Sequence, residues 1–457
     1  MSRTAPRPGR ASGAAPHPGD RLGRGLSLTD ATLLAVSSVI GSGIFLTPGR
    51  VADLLPVPGL ILVAWLVGGL LSLAGALANA ELGAMYPRAG GDYVYLRQAF
   101  HPAAGFLVGW LTFLAIYAGT VAVLALGFAR TLTTFVDLGE SQIVFVAILL
   151  TVGVSAINYF GVRLGAILNN LSALAKVAAL AGFIVLAFSF QGEGMPSAPA
   201  APRADMPLVA AFGLALSPIL FSYLGWNAPV YVASEIRDPG RNVPGSLFLG
   251  LAICTAIYLA INTVYLQAVP MAQLRTEVNV GEVAAAAVLG PRAGTIFAAF
   301  ILLSIFGTLN AMVLVGPRIA YAMALDGLFF RGAERVHPSY ETPHFAIVAQ
   351  AVVAVVLLLV LETFPRLLDF TTFAIVLATI ADTAALYVLR RTQPDRPRPY
   401  RAWGYPAVPA IYLIANFAIA LILLWGRPFE CAIALGVLAS GLPFYWWFTQ
   451  ESGRTLR

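Results

Sequence analysis

Long apolar stretches alternate with short polar segments along most of the chain. A helix needs about 20 apolar residues to cross roughly 30 Å of hydrocarbon, and stretches of this kind begin at twelve places. These starts are Ser27, Pro58, Ala103, Gln142, Leu164, Pro207, Val243, Val283, Phe345, Leu367, Pro406 and Glu430. The pattern predicts an all-α polytopic membrane protein with twelve transmembrane helices.

The first span carries helix-breaking residues in its middle. The run from Ile40 to Gly49 reads Ile-Gly-Ser-Gly-Ile-Phe-Leu-Thr-Pro-Gly. Unpaired backbone amides and carbonyls cost on the order of several kcal/mol each in lipid, so a broken helix is tolerated only where it lines an enclosed cavity. This span is therefore the first candidate for a substrate site.

The sixth span carries a second interruption at an equivalent depth. Phe221 to Asn227 reads Phe-Ser-Tyr-Leu-Gly-Trp-Asn, and Pro229 follows. Gly41 lies 14 residues after Ser27, and Phe221 lies 14 residues after Pro207, which is about 21 Å along each helix. Five helices separate the two starts, and an odd number reverses the chain direction. Spans 1 to 5 and 6 to 10 are therefore expected to form two inverted repeats, with helices 1 and 6 unwound at mid-membrane and two terminal helices added.

A simpler interpretation is that small residues only let helices pack closely. Gly41 and Gly43 alone are compatible with it, whereas Pro48 and the matching second interruption are not explained by it.

The predicted organisation has five parts. They are a disordered cytoplasmic tail at 1–26, the first repeat at 27–190, the second repeat at 207–391, the two terminal helices at 404–449 and a cytoplasmic C-terminal tail at 450–457. The first tail is rich in Pro, Gly, Ala and Arg, a composition that lacks the apolar residues needed for a packed core.

Composition and charge agree with this interpretation and indicate an orientation. The 457-residue chain is 59% hydrophobic and 11% charged, with a mean hydropathy of +0.81. Because cytoplasmic loops retain arginine, a cytoplasmic N-terminus places twenty arginines inside and seven outside. The seven are Arg50, Arg130, Arg203, Arg275, Arg292, Arg366 and Arg427. The net charge of +6 then reflects topology in a cell (inner) membrane with both termini cytoplasmic, and no nucleic-acid partner is implied.

The two interruptions offer complementary poles to a ligand. The half-helix after Gly43 presents free N–H groups and a positive dipole end, which suit a carboxylate. The half-helices that end near Ile40 and Phe221 expose carbonyl oxygens, which suit an ammonium group. Residues 31–52 and 206–234 contain no Asp or Glu, so a purely cationic ligand would lack a counter-charge there. An α-amino acid fits better than a cation.

Lys176, the sole lysine of the chain, lies 12 residues into the fifth span. That depth, about 18 Å, keeps its ammonium group from reaching water easily. Asn169, Ser172 and Lys176 share one helical face, and an ammonium group at this depth marks a functional position. Lys176 either holds a fixed charge where sodium sits in related sodium-coupled carriers or titrates to couple transport to protons. The alternative is a lysine tied permanently to carbonyls of the first broken helix.

Several motifs resemble the amino acid-polyamine-organocation (APC) transporter superfamily. They are Ile40–Phe45, Glu81–Gly83, Tyr86–Tyr93 and Gly316–Arg318, with Gly225–Asn227 and Asp238–Pro244 most similar to the L-type amino acid transporter (LAT) branch. The resemblance runs from Ser27 to about Arg391. It implies the inverted-repeat fold and sodium-independent exchange or uptake of amino acids, with no cofactor and no enzymatic activity.

The resemblance also assigns roles to individual residues. The candidate substrate-binding residues are Ile40, Gly41, Ser42, Gly43, Ile44, Phe221, Ser222, Tyr223, Leu224, Gly225 and Asn227, with Lys176 as the coupling residue. Within this set, residues 41–43 match the carboxylate-binding break, and Ile40, Phe221 and Ser222 match the carbonyls that take the amino group. Phe221 also matches an aromatic cap over the substrate, and Asn227 a support for the unwound part of helix 6.

Two features depart from the branch. Leu224 stands where many members carry Gly or Asp, which changes the side-chain pocket. The loop from Thr131 to Ser141 lacks the cysteine that links animal LAT proteins to an ancillary glycoprotein, so no disulfide-linked heavy chain is expected. The arginine-rich, nearly lysine-free composition favours a bacterial origin.

The leading hypothesis is a carrier of neutral L-amino acids, either an exchanger or a proton-coupled symporter. The alternatives are a carrier of cationic amino acids or polyamines, which needs a carboxylate from another helix, and a transporter-like nutrient sensor. The four histidines lie outside the predicted spans and indicate no metal site. Two acids remain: Glu81 is interpreted as a loop anchor, and Asp382 either pairs inside the bundle or lines the inner pathway.

Overall fold

The computed structural model describes residues 25–160, 162–189, 206–340 and 342–455, with side chains described outside 162–169 and 451–455. The expectations for residues 1–24, for the last two residues and for the side chain of Asn169 therefore lie outside the described residues.

The helices that cross the bundle follow the predicted order. They are helix 1a (Leu28–Val39), helix 1b (Gly43–Leu46, continued by Pro48–Leu54), helix 2 (Pro58–Met85), helix 3 (Pro102–Leu111, Thr112–Tyr117 and Ala118–Leu132), helix 4 (Glu140–Tyr159), helix 5 (Val162–Ser189), helix 6a (Leu208–Tyr223), helix 6b (Ala228–Tyr231), helix 7 (Pro239–Ala268), helix 8 (Pro291–Val315, continued by Pro317–Leu325), helix 9 (His344–Leu361), helix 10 (Phe364–Thr392), helix 11 (Ala407–Gly426) and helix 12 (Pro428–Thr455). Short helices at Asp92–Ala99, Met271–Leu274 and Val280–Leu289 connect them.

Eleven of these helices are long and apolar enough to cross a membrane. The sixth is the exception because its first half, helix 6a, has only 16 residues before the chain breaks. The prediction of an all-α polytopic membrane protein is confirmed in the described residues, where extended pairing is limited to one bridge between Leu26 and Ile236. That bridge corrects the tail boundary, since Leu26 was expected in the disordered segment.

The eighth span begins later than predicted. Val283 belongs to the separate short helix Val280–Leu289, and helix 8 starts at Pro291. Gly290 joins the two with a φ of 92°, a conformation that glycine adopts without strain. Proline then begins the next helix because its missing N–H is not needed at a first turn.

The packing of the two halves shows the inverted repeat. Helix 1a packs on helix 5 of its own repeat and on helix 7, the second helix of the other repeat. Helix 6a packs in the same way on helix 10 of its own repeat and on helix 2. The equivalent pairings place the two broken helices side by side at the centre. We call the side of the membrane at which helix 1a begins the N-terminal face.

Glu81 anchors the loop between helices 10 and 11, as interpreted. Its carboxylate accepts from Arg390 Nε at 3.0 Å, from Arg398 Nε at 3.1 Å and from the amide of Ala402 at 2.7 Å. The side chain is fully buried. The loop is therefore held by one carboxylate that satisfies donors from three positions.

Replacing Glu81 with glutamine is expected to lower the thermal unfolding midpoint of the purified protein, because two arginines lose their buried counter-charge, a change that costs about 3 kcal/mol. Glu140→Gln is the matched control. The side chain of Glu140 is 77% exposed and that of its partner Arg130 is 31% exposed, and ion pairs this open to solvent contribute roughly 0–1 kcal/mol. Equal midpoints for both variants would contradict the anchoring role.

Candidate substrate site

The first helix breaks where the sequence predicted. Helix 1a ends at Val39, Ile40 caps it, and backbone hydrogen bonding resumes when the amides of Phe45 and Leu46 donate to the carbonyl of Ser42 at 3.1 and 2.9 Å. The amides that open helix 1b have no carbonyl one turn earlier to bond. The segment from Ile40 to Ser42 therefore exposes carbonyls of one half-helix and amides of the next.

The sixth helix breaks later than predicted. Helix 6a continues through Tyr223, and turns occupy residues 224–227. The amide of Leu224 donates to the carbonyl of Phe221 at 3.0 Å, which adds one more hydrogen bond to the end of the helix. The next residue, Gly225, has a φ of 101° and ends it. The expectation that the break starts at Phe221 is wrong, because Phe221, Ser222 and Tyr223 are helical.

The two breaks touch each other. A Cβ atom on Gly43 would lie 2.6 Å from Ser222 Cα, and one on Gly225 would lie 2.7 Å from Ser38 Cβ. The hydroxyls of Thr47 and Ser222 are 2.9 Å apart. Because real Cβ contacts are longer than this, both positions require glycine. The expected meeting of the interruptions is confirmed.

The predicted ammonium-binding carbonyls already carry protein donors. Thr308 Oγ1 donates towards Ile40 O at 2.8 Å, and Leu224 N donates to Phe221 O. The hydroxyl oxygen of Tyr258 lies 2.8 Å from the carbonyl oxygens of both Val39 and Ser222. Ile40 O also has the Ser304 hydroxyl at 3.4 Å, so both of its acceptor positions are occupied. Each carbonyl oxygen has two lone pairs, so one acceptor position remains for a ligand on the carbonyls of Phe221 and Ser222.

The remaining candidate residues differ in whether their side chains face the place where the two broken helices meet. Ile44 is fully buried in helix 1b, and Phe221 is buried in the last turns of helix 6a. The Ser42 hydroxyl is buried without a hydrogen-bond partner in the described structure. Tyr223 points elsewhere: its ring packs against Trp65 and its hydroxyl donates to Trp65 O at 3.3 Å. Tyr223 therefore borders the break with its backbone while its side chain faces helix 2, and its assignment as a substrate-binding residue stays a prediction.

A small cavity adjoins the break of helix 6. Its volume is about 20 Å³, and its lining includes Leu224, Gly225, Asn227, Tyr231, Asp92 and Thr379. A cavity of this size holds roughly one water molecule and is too small for an amino acid. Sequence reasoning missed Asp92 and Tyr231, although Tyr231 lies one helical turn beyond Asn227 and so faces the same side.

Lys176 reaches the first broken helix from helix 5. Its side chain is buried, and its Nζ donates to Ser37 O at 3.1 Å and to Thr308 Oγ1 at 2.6 Å. The ammonium group thus joins helix 5 to helices 1a and 8, next to the break. The prediction that it faces inward is confirmed. Thr308 was missed because nothing in the sequence relates it to position 176.

A larger cavity lies on the face opposite the N-terminal face. It has a volume of about 520 Å³, and it gathers five of the seven arginines that the orientation rule placed outside, namely Arg50, Arg130, Arg275, Arg366 and Arg427. At its base Asp369 of helix 10 pairs with Arg50 of helix 1b and accepts from Ser217 of helix 6a at 2.9 Å. Asp369 therefore ties both broken helices to helix 10 on this side.

Comparison with known proteins agrees with this architecture. The amino acid permease family model matches residues 26–446. The serine/threonine exchanger SteT of Bacillus subtilis (strain 168) is 29% identical over 424 residues, which cover 92% of this chain and 96% of SteT. The large neutral amino acids transporter small subunit 2 of Homo sapiens is 30% identical over 437 residues, 93% of this chain and 81% of the relative.

A third relative is the b(0,+)-type amino acid transporter 1 of Homo sapiens, 28% identical over 431 residues, 93% of this chain and 87% of the relative. The family and these relatives are transporters and not enzymes. The resemblance to the APC superfamily and its LAT branch is thereby confirmed, and the chain belongs to the amino acid permease family.

Proposed function

We propose that this protein transports neutral L-amino acids across the plasma membrane by alternating access, independently of sodium. The observation that carries the proposal is the contact between the breaks of helices 1 and 6, where Gly43 approaches Ser222 and Gly225 approaches Ser38. Uncoiled backbone from two helices at one place offers amides to a carboxylate and carbonyls to an ammonium group. A dipolar amino acid has both groups at a matching separation.

The substrate class is supported by the side chains around the junction. Residues 31–52 and 206–234 contribute no carboxylate, and Leu224 places an apolar side chain at the interruption of helix 6. The printed names of SteT and of the large neutral transporter concern serine, threonine and large neutral amino acids. A neutral side chain is therefore the substrate that we propose for this chain.

Sodium independence is supported by the position of Lys176. Its ammonium group lies against Ser37 O and Thr308 Oγ1, so two oxygens beside the break of helix 1 already have a positive charge as their partner. A fixed positive charge there stabilises helix 1a without a bound cation. This arrangement favours the fixed-charge role of Lys176 over a titrating one, and also fits a lysine that is permanently tied to helix 1a.

A second candidate is transport of cationic amino acids or polyamines. It is favoured by one observation: Asp92, from outside helices 1 and 6, lines the cavity beside Gly225. A carboxylate from another element is what such a substrate needs. Competition of labelled neutral amino acid uptake by unlabelled L-arginine or putrescine separates the two candidates.

The orientation and partners follow from the same features. We propose that the N-terminal face is the cytoplasmic face of the cell (inner) membrane, because cytoplasmic loops retain arginine. This orientation puts twenty arginines on that side and seven on the other, and five of those seven line the larger cavity on the opposite face. We also propose that the single chain works without a disulfide-linked heavy chain, since residues 131–141 contain no cysteine.

Purified protein in proteoliposomes is expected to take up labelled alanine, serine, threonine or leucine at the same rate when choline replaces sodium, because Lys176 supplies the charge at the helix 1 position. Uptake that needs unlabelled amino acid inside indicates exchange, and uptake driven by a proton gradient alone indicates symport. Protein-free liposomes are the control. Uptake that requires sodium would overturn sodium independence.

A further inference from the structure

Two carboxyl groups from distant parts of the chain meet within the bundle. Asp382 of helix 10 is 1% exposed, and Asp92, which opens the short helix between helices 2 and 3, is 3% exposed. The two side chains lie within hydrogen-bonding reach of each other. An ionised carboxylate can only accept, so a hydrogen bond between two carboxyls requires that one of them carries a proton.

The pair differs from the other buried acids. Four acidic residues are buried in the part of the chain that the structure describes: Glu81, Asp92, Asp369 and Asp382. Glu81 and Asp369 each form ion pairs with two arginines. Asp92 and Asp382 form none with a described basic residue, and both oxygens of Asp382 and Oδ1 of Asp92 lack a donor among the described residues. A proton is the remaining way to neutralise this pair.

The titratable side chains beside the pair, among the described residues, are tyrosines from four elements. They are Tyr95 of the short helix, Tyr117 of helix 3, Tyr231 of helix 6b and Tyr412 of helix 11. All four are neutral hydroxyls that offer no counter-charge. Two ionised carboxylates that lie next to each other in an apolar interior repel strongly. Burial raises the pKa of the Asp92 carboxyl.

A chain of hydrogen bonds joins the pair to the substrate site. Asn227, the last residue of the interruption in helix 6, donates from Nδ2 to the hydroxyl oxygen of Tyr231 at 3.4 Å. Tyr231 donates its own hydroxyl proton to Asp92 Oδ2. The small cavity beside Gly225 and Asn227 is lined by Asp92 as well. A change in the charge of the pair therefore alters the electrostatic environment of the uncoiled part of helix 6.

The depth of the pair suits access from one side. Asp382 lies 10 residues before the end of helix 10 at Thr392, about 15 Å from that end. Helix 10 ends at the N-terminal face, because an even-numbered helix returns to the side where helix 1a begins. The pair therefore lies between the interruption of helix 6 and the N-terminal face.

We propose that Asp92 and Asp382 form a proton-binding site that couples proton movement to amino acid transport. This inference rests on the proposed transport function and adds the ion that accompanies it. Binding adds one proton to a carboxylate oxygen, and the pair then shares it in a hydrogen bond that holds helix 10, the short helix and Tyr231 together. Loss of the proton leaves two repelling carboxylates, which separates these elements and frees helix 6b to move.

The test measures protons and amino acid together in proteoliposomes. A pH-sensitive dye trapped in the lumen reports the lumenal pH. Amino acid transport is measured with whichever of labelled alanine, serine, threonine or leucine exchanges fastest. With an acidic exterior, wild type is expected to acidify the lumen as amino acid enters. Asp382→Asn is expected to lower the ratio of protons to amino acids moved at least about tenfold, because asparagine cannot bind a proton in this range. Asp137→Asn, in an exposed loop, is the matched control and should keep the wild-type ratio.

A second variant keeps the proposal testable if Asp382→Asn does not fold. Tyr231→Phe removes a donor to the Asp92 carboxylate, which weakens the ionised form and should move the pH midpoint of uptake to higher pH by about one unit. A midpoint that stays in place or moves to lower pH contradicts the proposal.

The outcomes separate this inference from the transport proposal. Exchange of amino acid by wild type without any proton movement overturns the inference and leaves the transport function standing. An unchanged proton ratio in Asp382→Asn overturns it as well. Loss of L-arginine uptake alone in Asp92→Asn, with no proton movement in wild type, would instead assign Asp92 to a cationic side chain. Absence of any amino acid movement by wild type refutes the transport function itself.

Discussion

Replacing Lys176 with methionine is expected to reduce the initial rate of amino acid exchange about 100-fold or more. The variant keeps most of the volume but removes two charge-assisted hydrogen bonds, to Ser37 O and Thr308 Oγ1. Hydrogen bonds to charged groups contribute roughly 1.5–3 kcal/mol each, and about 1.4 kcal/mol corresponds to a tenfold change. Exchange of labelled against unlabelled amino acid in proteoliposomes measures the effect.

Thr308 provides the matched control for this prediction. Thr308→Ser retains the hydroxyl that accepts from Lys176 and donates to Ile40 O, so exchange should remain close to wild type. Thr308→Val removes the hydroxyl and should reduce exchange by about tenfold. Wild-type exchange in Lys176→Met would show that the ammonium group has no part in transport and would refute both functional roles considered for it.

Replacing Gly43 with alanine is expected to abolish exchange while the protein still folds. The added Cβ would lie 2.6 Å from Ser222 Cα, a backbone atom that cannot move away without shifting helix 6a. Overpacking of this kind typically costs about 1–3 kcal/mol, which the large bundle tolerates. The shift of helix 6a occurs where it meets helix 1b, so the arrangement of backbone groups that binds the substrate is lost. Exchange and size-exclusion profiles of the purified variant measure the two effects.

Gly153→Ala is the control for Gly43→Ala. Position 153 lies in helix 4, and a Cβ there meets no atom within 4 Å, so alanine should leave exchange unchanged and stabilise the helix by about 1 kcal/mol or less. Equal exchange by Gly43→Ala and Gly153→Ala would show that the breaks do not need their close approach for transport.

The breaks themselves were predictable because their causes are local. Gly41, Gly43 and Pro48 interrupt helix 1 through their own backbone preferences, and hydropathy places them at mid-span. The end of helix 6a was misplaced because a single backbone bond, from Leu224 N to Phe221 O, extends the helix past residues of ordinary helical propensity. The start of helix 8 was misplaced because the residues on both sides of Gly290 are apolar. The short helix before Gly290 and helix 8 after it therefore look like one continuous span in the sequence.

The partners of buried polar groups could not be predicted. The depth of Lys176 in an apolar span required an inward orientation, but Ser37 and Thr308 reach it only through the packing of three helices. Asp382 was recognised as a buried acid, whereas Asp92 comes from a connection far away in the chain. Such pairs depend on tertiary contacts that one sequence without its fold does not specify.

The most direct test of the central claim is an experimental structure of the protein determined with a transported neutral amino acid. The account predicts ligand density between the amides of residues 41–43 and the carbonyls of Phe221 and Ser222, with its carboxylate towards helix 1b. Density at a distant site, or an uninterrupted helix 1 in the bound protein, would contradict it.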